Sequence, residues 1–151
     1  MTTISETDLD KPIMKSSSVL LVDDNADLRK LVSKTLTSLC NWQVDTADSG
    51  LAALTFLEDH RPDLILMDVS MPQMDGLTTI TEIKRREQWR HIPIILITAR
   101  VQNHEMNEYR HLAIAGVISK PFDPIKLPHQ IKHLLDQYSP SGENKRVAIS
   151  D

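Results

Sequence analysis

The chain has 151 residues, a formal net charge of −4 with its six histidines neutral, 40% apolar and 4% aromatic content, and one cysteine. That length suits one ordinary domain plus tails, with a hydrophobic core that must be built from Leu, Ile, Val, Met and Ala because rings are scarce. Mild acidity argues against a nucleic-acid partner, which needs clustered Lys and Arg, and against an anionic membrane surface; a lone Cys40 excludes an intrachain disulfide and a CxxC zinc site, and reads as a small, partly buried apolar residue.

Residues 1–17 are polar and aperiodic and are expected to form a flexible arm. They carry no signal-peptide core, and no apolar run reaches membrane-spanning length, so a reducing, cytoplasmic compartment is expected. Ser18-Val19-Leu20-Leu21-Val22 is a short continuous apolar run, the pattern of a strand buried on both faces of a parallel sheet. It stops at Asp23-Asp24-Asn25. From Ala26 to Leu39, the residues Leu28, Leu31, Val32, Thr35, Leu36 and Leu39 recur at helical spacing, and Asn25 or Asp24 suits the cap. Gln43 to Ala47 reads as a half-buried strand. Ser49 can cap a helix running through Leu51, Leu54 and Leu57 to His60, which Arg61-Pro62 ends.

Asp63 to Met67 is a third strand, ending at Asp68. A loop containing Met71-Pro72 and Asp75-Gly76 follows, the last pair read as turn chemistry. A helix then carries Leu77, Ile80, Ile83 and the basic run Lys84-Arg85-Arg86, read as a solvated face. Pro93 to Ile97 is a fourth strand, ending at Thr98-Ala99, and Gln102 to Leu112 reads as a short polar helix. Gly116 to Ser119 is a fifth strand, ending at Lys120-Pro121. A last helix spans about Pro124 to Tyr138, and 139–151 are expected to be a flexible tail. His129 and His133 lie one helical turn apart with no third ligand, so a solvated face is expected there. His91, His104 and His111 read as surface residues, and Met67, Met71 and Met74 as packing.

Five βα repeats in one domain, residues 18–138, predict an α/β fold: a doubly wound, flavodoxin-like three-layer sandwich around a parallel five-stranded sheet of order 2-1-3-4-5. In such sheets the ligand site lies beyond the carboxyl ends of the strands, where strand order reverses. This rule brings Asp23, Asp24 and Asp68 together, with Thr98 and Lys120 on the next strands. Three carboxylates in one pocket remain ionised only beside a cation, and oxygen ligands suit Mg²⁺, with Mn²⁺ as a substitute. Asp68 is then the nucleophile able to form an acyl phosphate. Lys120, the Thr98 hydroxyl and the Ala99 backbone N–H would meet the phosphoryl oxygens.

The blocks Leu21-Val22-Asp23-Asp24-Asn25, Leu66-Met67-Asp68-Val69-Ser70-Met71-Pro72 with Asp75-Gly76, Ile97-Thr98-Ala99 and Lys120-Pro121-Phe122 together resemble the CheY-like receiver domain of bacterial two-component response regulators. The resemblance covers about Ser18 to Tyr138. It implies that Asp68 is the phosphoacceptor, Asp24 a direct metal ligand, Asp23 a ligand partly through water, and the Ser70 carbonyl the remaining protein ligand. It also implies that Thr98 is a switch hydroxyl, that Lys120 pairs with Asp68, and that the Lys120–Pro121 bond is cis. Two features depart from the pattern. Val117 stands where the family often has Tyr or Phe. Ser70 and Arg100 stand two residues past Asp68 and Thr98, positions that in the family help set how fast water removes the phosphate; Arg100 could shield the phosphoryl group or reach it, which predicts slow-to-intermediate autodephosphorylation.

The resemblance implies a stand-alone receiver, monomeric or weakly dimeric, that catalyses only its own phosphorylation and dephosphorylation. A sensor histidine kinase or phosphotransfer protein would supply the phosphoryl group, and the fourth helix, last strand and last helix would bind an unknown downstream protein. A phosphorelay intermediate, a phosphate sink and a phosphorylation-independent adaptor stand as alternatives. An aspartate-nucleophile phosphatase fits less well because no Asp-x-Asp follows the first strand. Dinucleotide binding lacks its Gly-x-Gly-x-x-Gly.

Overall fold

The computed structural model describes residues 17–138 and 149–150. Its elements are β1 (Ser18–Val22), α1 (Ala26–Cys40), β2 (Gln43–Ala47), α2 (Gly50–Leu57), β3 (Leu64–Met67), α3 (Gly76–Arg85), β4 (Ile94–Thr98), α4 (Asn103–Tyr109) with a 3₁₀ turn (Arg110–Leu112), β5 (Gly116–Ser119), α5 (Leu127–Gln137) and β6 (Ile149–Ser150). The first five strands pair in parallel in the order β2-β1-β3-β4-β5, as the βα alternation requires. Beyond them, β6 adds a two-residue parallel strand to the outer edge of β5, Val117 opposite Ile149 and Ile118 opposite Ser150. This strand falls within the span expected as a tail; the rest of that span, 139–148 and 151, and the expected arm at 1–16 lie outside the described residues.

The period of two along each strand divides the core. Leu20, Val22, Ile65, Met67, Ile94, Leu96 and Val117 face one side, against Ala53 and Leu57 of α2, Ile80 and Ile83 of α3, and Met106 and Tyr109 of α4. Val19, Leu21, Leu64, Leu66, Ile95, Ile97 and Ile118 face the other, against Val32 and Leu36 of α1 and Leu127, Ile131 and Leu134 of α5. Burying one such aliphatic side chain contributes about 1.5–3 kcal/mol, so β1, β3 and β4 are held by both layers. No helix among the described residues is long and apolar enough to cross a membrane.

Local chemistry sets the helix ends. Asn25, Ser49 and Asp75 each accept the backbone N–H three residues on, so each is an N-cap. Asp75 is therefore the start of α3, where a turn pair was expected. Asn41 ends α1 in the left-handed region at φ 60°, its N–H returning to the Leu36 and Thr37 carbonyls. α5 begins three residues after Pro124, because Asp123 first closes a turn, accepting from the Ile125 N–H with its carboxylate and from the Lys126 N–H with its carbonyl. Two expected apolar-face residues of α1, Leu31 and Leu39, are exposed, and α1 buries Val32, Leu36 and Cys40 instead. The basic run on α3 is not simply solvated. Lys84 is half-buried and donates to the Arg90 carbonyl at 3.0 Å, Arg85 pairs with Glu82, and Arg86 pairs with Glu58 and lies over the Trp89 ring. His91, His104, His111, His129 and His133 are exposed, and Met67 and Met71 are buried in the core.

Candidate functional site

Backbone ladders fix the strand ends. The Asp23 N–H reaches the Ala47 carbonyl, the Asp68 N–H reaches that of Val22, and the Lys120 N–H reaches that of Thr98. The residue that follows each apolar run is thus locked at the sheet's carboxyl rim, and consecutive ladders set these residues side by side. Carboxylate oxygens of Asp23, Asp24 and Asp68 lie within 4.8 Å of one another. Asp23 and Asp68 are buried, at 2% and 5% exposure, whereas Asp24 is open to solvent. The Lys120 Nζ sits 3.1 Å from an Asp23 oxygen and 3.4 Å from an Asp68 oxygen, on a side chain only a quarter exposed. β5, which ends at Ser119, places it there, and the Lys120–Pro121 bond is cis.

Electrostatics leave the cluster short of positive charge. Burial pushes the Asp68 carboxyl above its ordinary pKa, and the Asp23 carboxylate adds to the rise, while Lys120 and the Ser70 N–H oppose it. A cation beside Asp68 would relieve both causes of that rise. The donor set is three carboxylate oxygens, which suits a hard divalent ion, so the cluster could hold a metal.

Hydrogen bonds shape the rest. The Asn25 N–H donates to Asp23 Oδ1 at 2.9 Å, and the Arg29 guanidinium donates to the Asp23 carbonyl at 2.8 Å, tying α1 to the acidic loop. The Ser70 N–H approaches Asp68 Oδ1 at 3.4 Å; Ser70 itself is exposed. Thr98 is buried at 1% exposure at the end of β4, and its hydroxyl accepts the Arg100 N–H at 2.9 Å. Ala99 is exposed and, with Asn25, Leu28, Leu31, Lys120, Pro121 and Phe122, lines an open groove of about 360 Å³ beside the cluster. Arg100 is not brought into the cluster: its guanidinium pairs with Glu105 at 3.2 Å and is mostly exposed.

Three contributors escape a sequence reading. Arg29 acts through a backbone carbonyl, which side-chain types do not announce. At Gly76, a Cβ would stand 2.1 Å from the Asp68 carbonyl oxygen, so glycine allows α3 to start against the site. Its place directly after the capping Asp75 is the only local signal of this. Tyr109, 1% exposed on α4, donates its hydroxyl proton to the Arg100 carbonyl at 2.6 Å.

Known proteins share both the sequence and this architecture. Residues 19–132 match the model of the response regulator receiver domain. The chain is 33% identical over 120 residues to the polar-differentiation response regulator DivK of Brucella ovis, across 80% of this chain and 97% of that protein. It is 29% identical over 126 residues to the response regulator Rre1 of Synechocystis, spanning 54% of that protein's length. Among solved structures, the chemotaxis response regulator CheY4 of Vibrio cholerae superposes with a TM-score of 0.74 at 30% identity, over 80% of this chain and 99% of that one. The Mn²⁺-bound form of response regulator Rcp1 superposes at 0.67 with 26% identity, over 80% of this chain and 93% of that one.

Proposed function

This chain belongs to the family of response regulator receiver domains, and from that premise we propose that it is a phosphorylation switch of two-component signalling, modified on Asp68 by a sensor histidine kinase or a phosphotransfer protein. In this reading the Asp68 carboxylate attacks the phosphorus of a phosphohistidine. An O–P bond forms, the N–P bond breaks, and the leaving imidazole nitrogen keeps the electron pair and is protonated. A bound Mg²⁺, or Mn²⁺ in its place, held by Asp23, Asp24, Asp68 and the Ser70 carbonyl, would supply positive charge against the phosphoryl oxygens. Lys120 gives a second positive charge from the other side, already 3.4 Å from the nucleophile. The Thr98 hydroxyl and the Ala99 N–H are the neutral donors. In this reading the protein is cytoplasmic, monomeric or weakly dimeric, acts on no outside substrate, and meets its downstream partner through α4, β5 and α5.

One observation carries the reading: two buried aspartates at adjoining strand ends share a single lysine, with the carboxylate of an exposed third beside them. Such a gathering destabilises the fold when left uncompensated, so its presence needs a ligand-based reason. Acetyl phosphate with Mg²⁺ tests it directly. The intact mass should rise by one phosphoryl group in the wild type and not in Asp68→Asn, and profiling against histidine kinases should show transfer to the wild type alone. An unchanged wild-type mass would end the reading. Partner capture that needs beryllofluoride marks a switch, whereas capture indifferent to it marks an adaptor.

A further inference from the structure

The two margins of the sheet differ. β5 carries β6 on its outer side, whereas β2 pairs only with β1 among the described strands. The Gln43 N–H and the Ala47 carbonyl both bond toward β1. Backbone groups alternate in direction along a strand, so Val44 and Thr46 turn their N–H and C=O outward. β2 holds neither Lys nor Pro, residues that commonly blunt an open margin. Alongside it, the outer flank of α1 and Thr46 frame an open groove of about 550 Å³. Arg29, Lys30 and Lys34 bring three cations to this groove, Ser33, Thr37 and Thr46 bring hydroxyls, and none of its lining residues is acidic. In a chain of net charge −4 this is a local reversal of sign. Lys30 and Lys34 are exposed, one helical turn apart, and neither is in an ion pair among the described residues. Thr46 lies opposite Leu21, whose side chain belongs to the α1 layer. A strand added outside β2 therefore sets every second side chain over the groove.

We propose that the groove between α1 and β2 is a docking site for an acidic, strand-forming segment of a partner protein. The segment pairs with Val44 and Thr46 through its backbone and sets alternate Glu or Asp side chains against Lys30 and Lys34. Main-chain pairing supplies affinity, and the alternate side chains supply selectivity. The intervening side chains fall on the α2 side, where Asp45 is half-buried opposite Leu20, so acid is disfavoured at those positions. A nucleic acid fits less well. The groove has three cations and no aromatic ring on which a base can stack, and a phosphodiester chain does not continue a β-ladder. The inference does not depend on Asp68 as phosphoacceptor.

The test uses the full chain and an end-capped peptide of about ten residues in which Glu and Thr alternate. A peptide of alternating Lys and Thr and a single-stranded DNA of similar length are the controls. Amide hydrogen exchange over residues 43–47 should slow about threefold or more with the acidic peptide and with neither control. The double variant Lys30→Glu, Lys34→Glu should bind that peptide about tenfold more weakly by fluorescence anisotropy, and wild-type binding should weaken severalfold as salt rises from about 0.05 to 0.5 M. Thr46→Pro removes one outward N–H and leaves the bonds to β1, so it should bind about fivefold more weakly, the equivalent of one ordinary hydrogen bond. The lysine variant is changed only at exposed positions, so it decides the matter even where Thr46→Pro fails to fold. Exchange over 43–47 that stays as in the free protein overturns the proposal. So does binding indifferent to the lysine charges, or DNA bound as tightly as the peptide, which marks a general polyanion surface.

Discussion

Asp63 and Asp68 bracket the same four-residue strand, and the two ends treat one side chain in opposite ways. At the amino end, Asp63 is exposed and accepts the Ser18 N–H at 2.9 Å, joining β3 to the start of β1. At the carboxyl end, Asp68 is buried beside Asp23 and Lys120, where ionisation is opposed by its surroundings. The first aspartate stabilises the fold that holds it. The second is tolerated by a fold that the rest of β3, buried on both layers, keeps intact. Burial and neighbouring charge, not residue type, decide which carboxylate is available for chemistry.

The largest predicted effect breaks this symmetry outright. Asp68→Asn should reduce labelling by acetyl phosphate about a hundredfold or more, as loss of a nucleophile does, while Asp63→Ala should leave it unchanged in a mass-spectrometric time course. Gly76→Ala comes next, because its Cβ would meet the Asp68 carbonyl oxygen at 2.1 Å. Overpacking of that kind costs about 1–3 kcal/mol, read by urea denaturation, and labelling should slow as Asp68 is pushed from place. Lys120→Met leaves Asp23 and Asp68 without their cation. Because the lysine is a quarter exposed, the expected loss is about 2 kcal/mol, below that of a fully buried pair. Added Mg²⁺ should recover much of that loss. Asp63→Ala should cost about 1 kcal/mol, one backbone-capping hydrogen bond.

The smallest effect sharpens the comparison through pH. The folded state raises the Asp68 pKa, so it favours the protonated carboxyl over the ionised one. Stability from this group is fully present below the ordinary carboxyl value and is lost as pH rises through the raised one. Without divalent cations, Asp68→Asn should therefore be more stable than wild type at neutral pH, with the gap shrinking as pH falls to about 4. Urea titrations at each pH measure this. Mg²⁺ should close the gap from the other direction.

The strand ends carried most of what could be read in advance. Asp23, Asp68, Thr98 and Lys120 each follow an apolar run, so their rim positions come from strand alternation alone, and parallel order then makes them neighbours. What stayed hidden depends on contacts that no local pattern encodes. Arg29 and Tyr109 act on backbone carbonyls in other loops. Leu31 and Leu39 match a helical period but sit at the margin of the stripe that α1 buries. The Lys84 ammonium finds the Arg90 carbonyl only because the chain turns back after α3. The pairing of Ile149 with Val117 joins residues more than thirty positions apart.

That last pairing changes what the far side of the sheet offers. With β6 in place, the outward amides and carbonyls around Val117 and Ile118 are already engaged. An incoming extended peptide, or the edge of a second molecule, must first evict a two-residue occupant. Undoing so few backbone bonds costs only about 1–3 kcal/mol, enough to discourage indiscriminate edge-to-edge sticking. It is also little enough for a well-matched intruder to overcome.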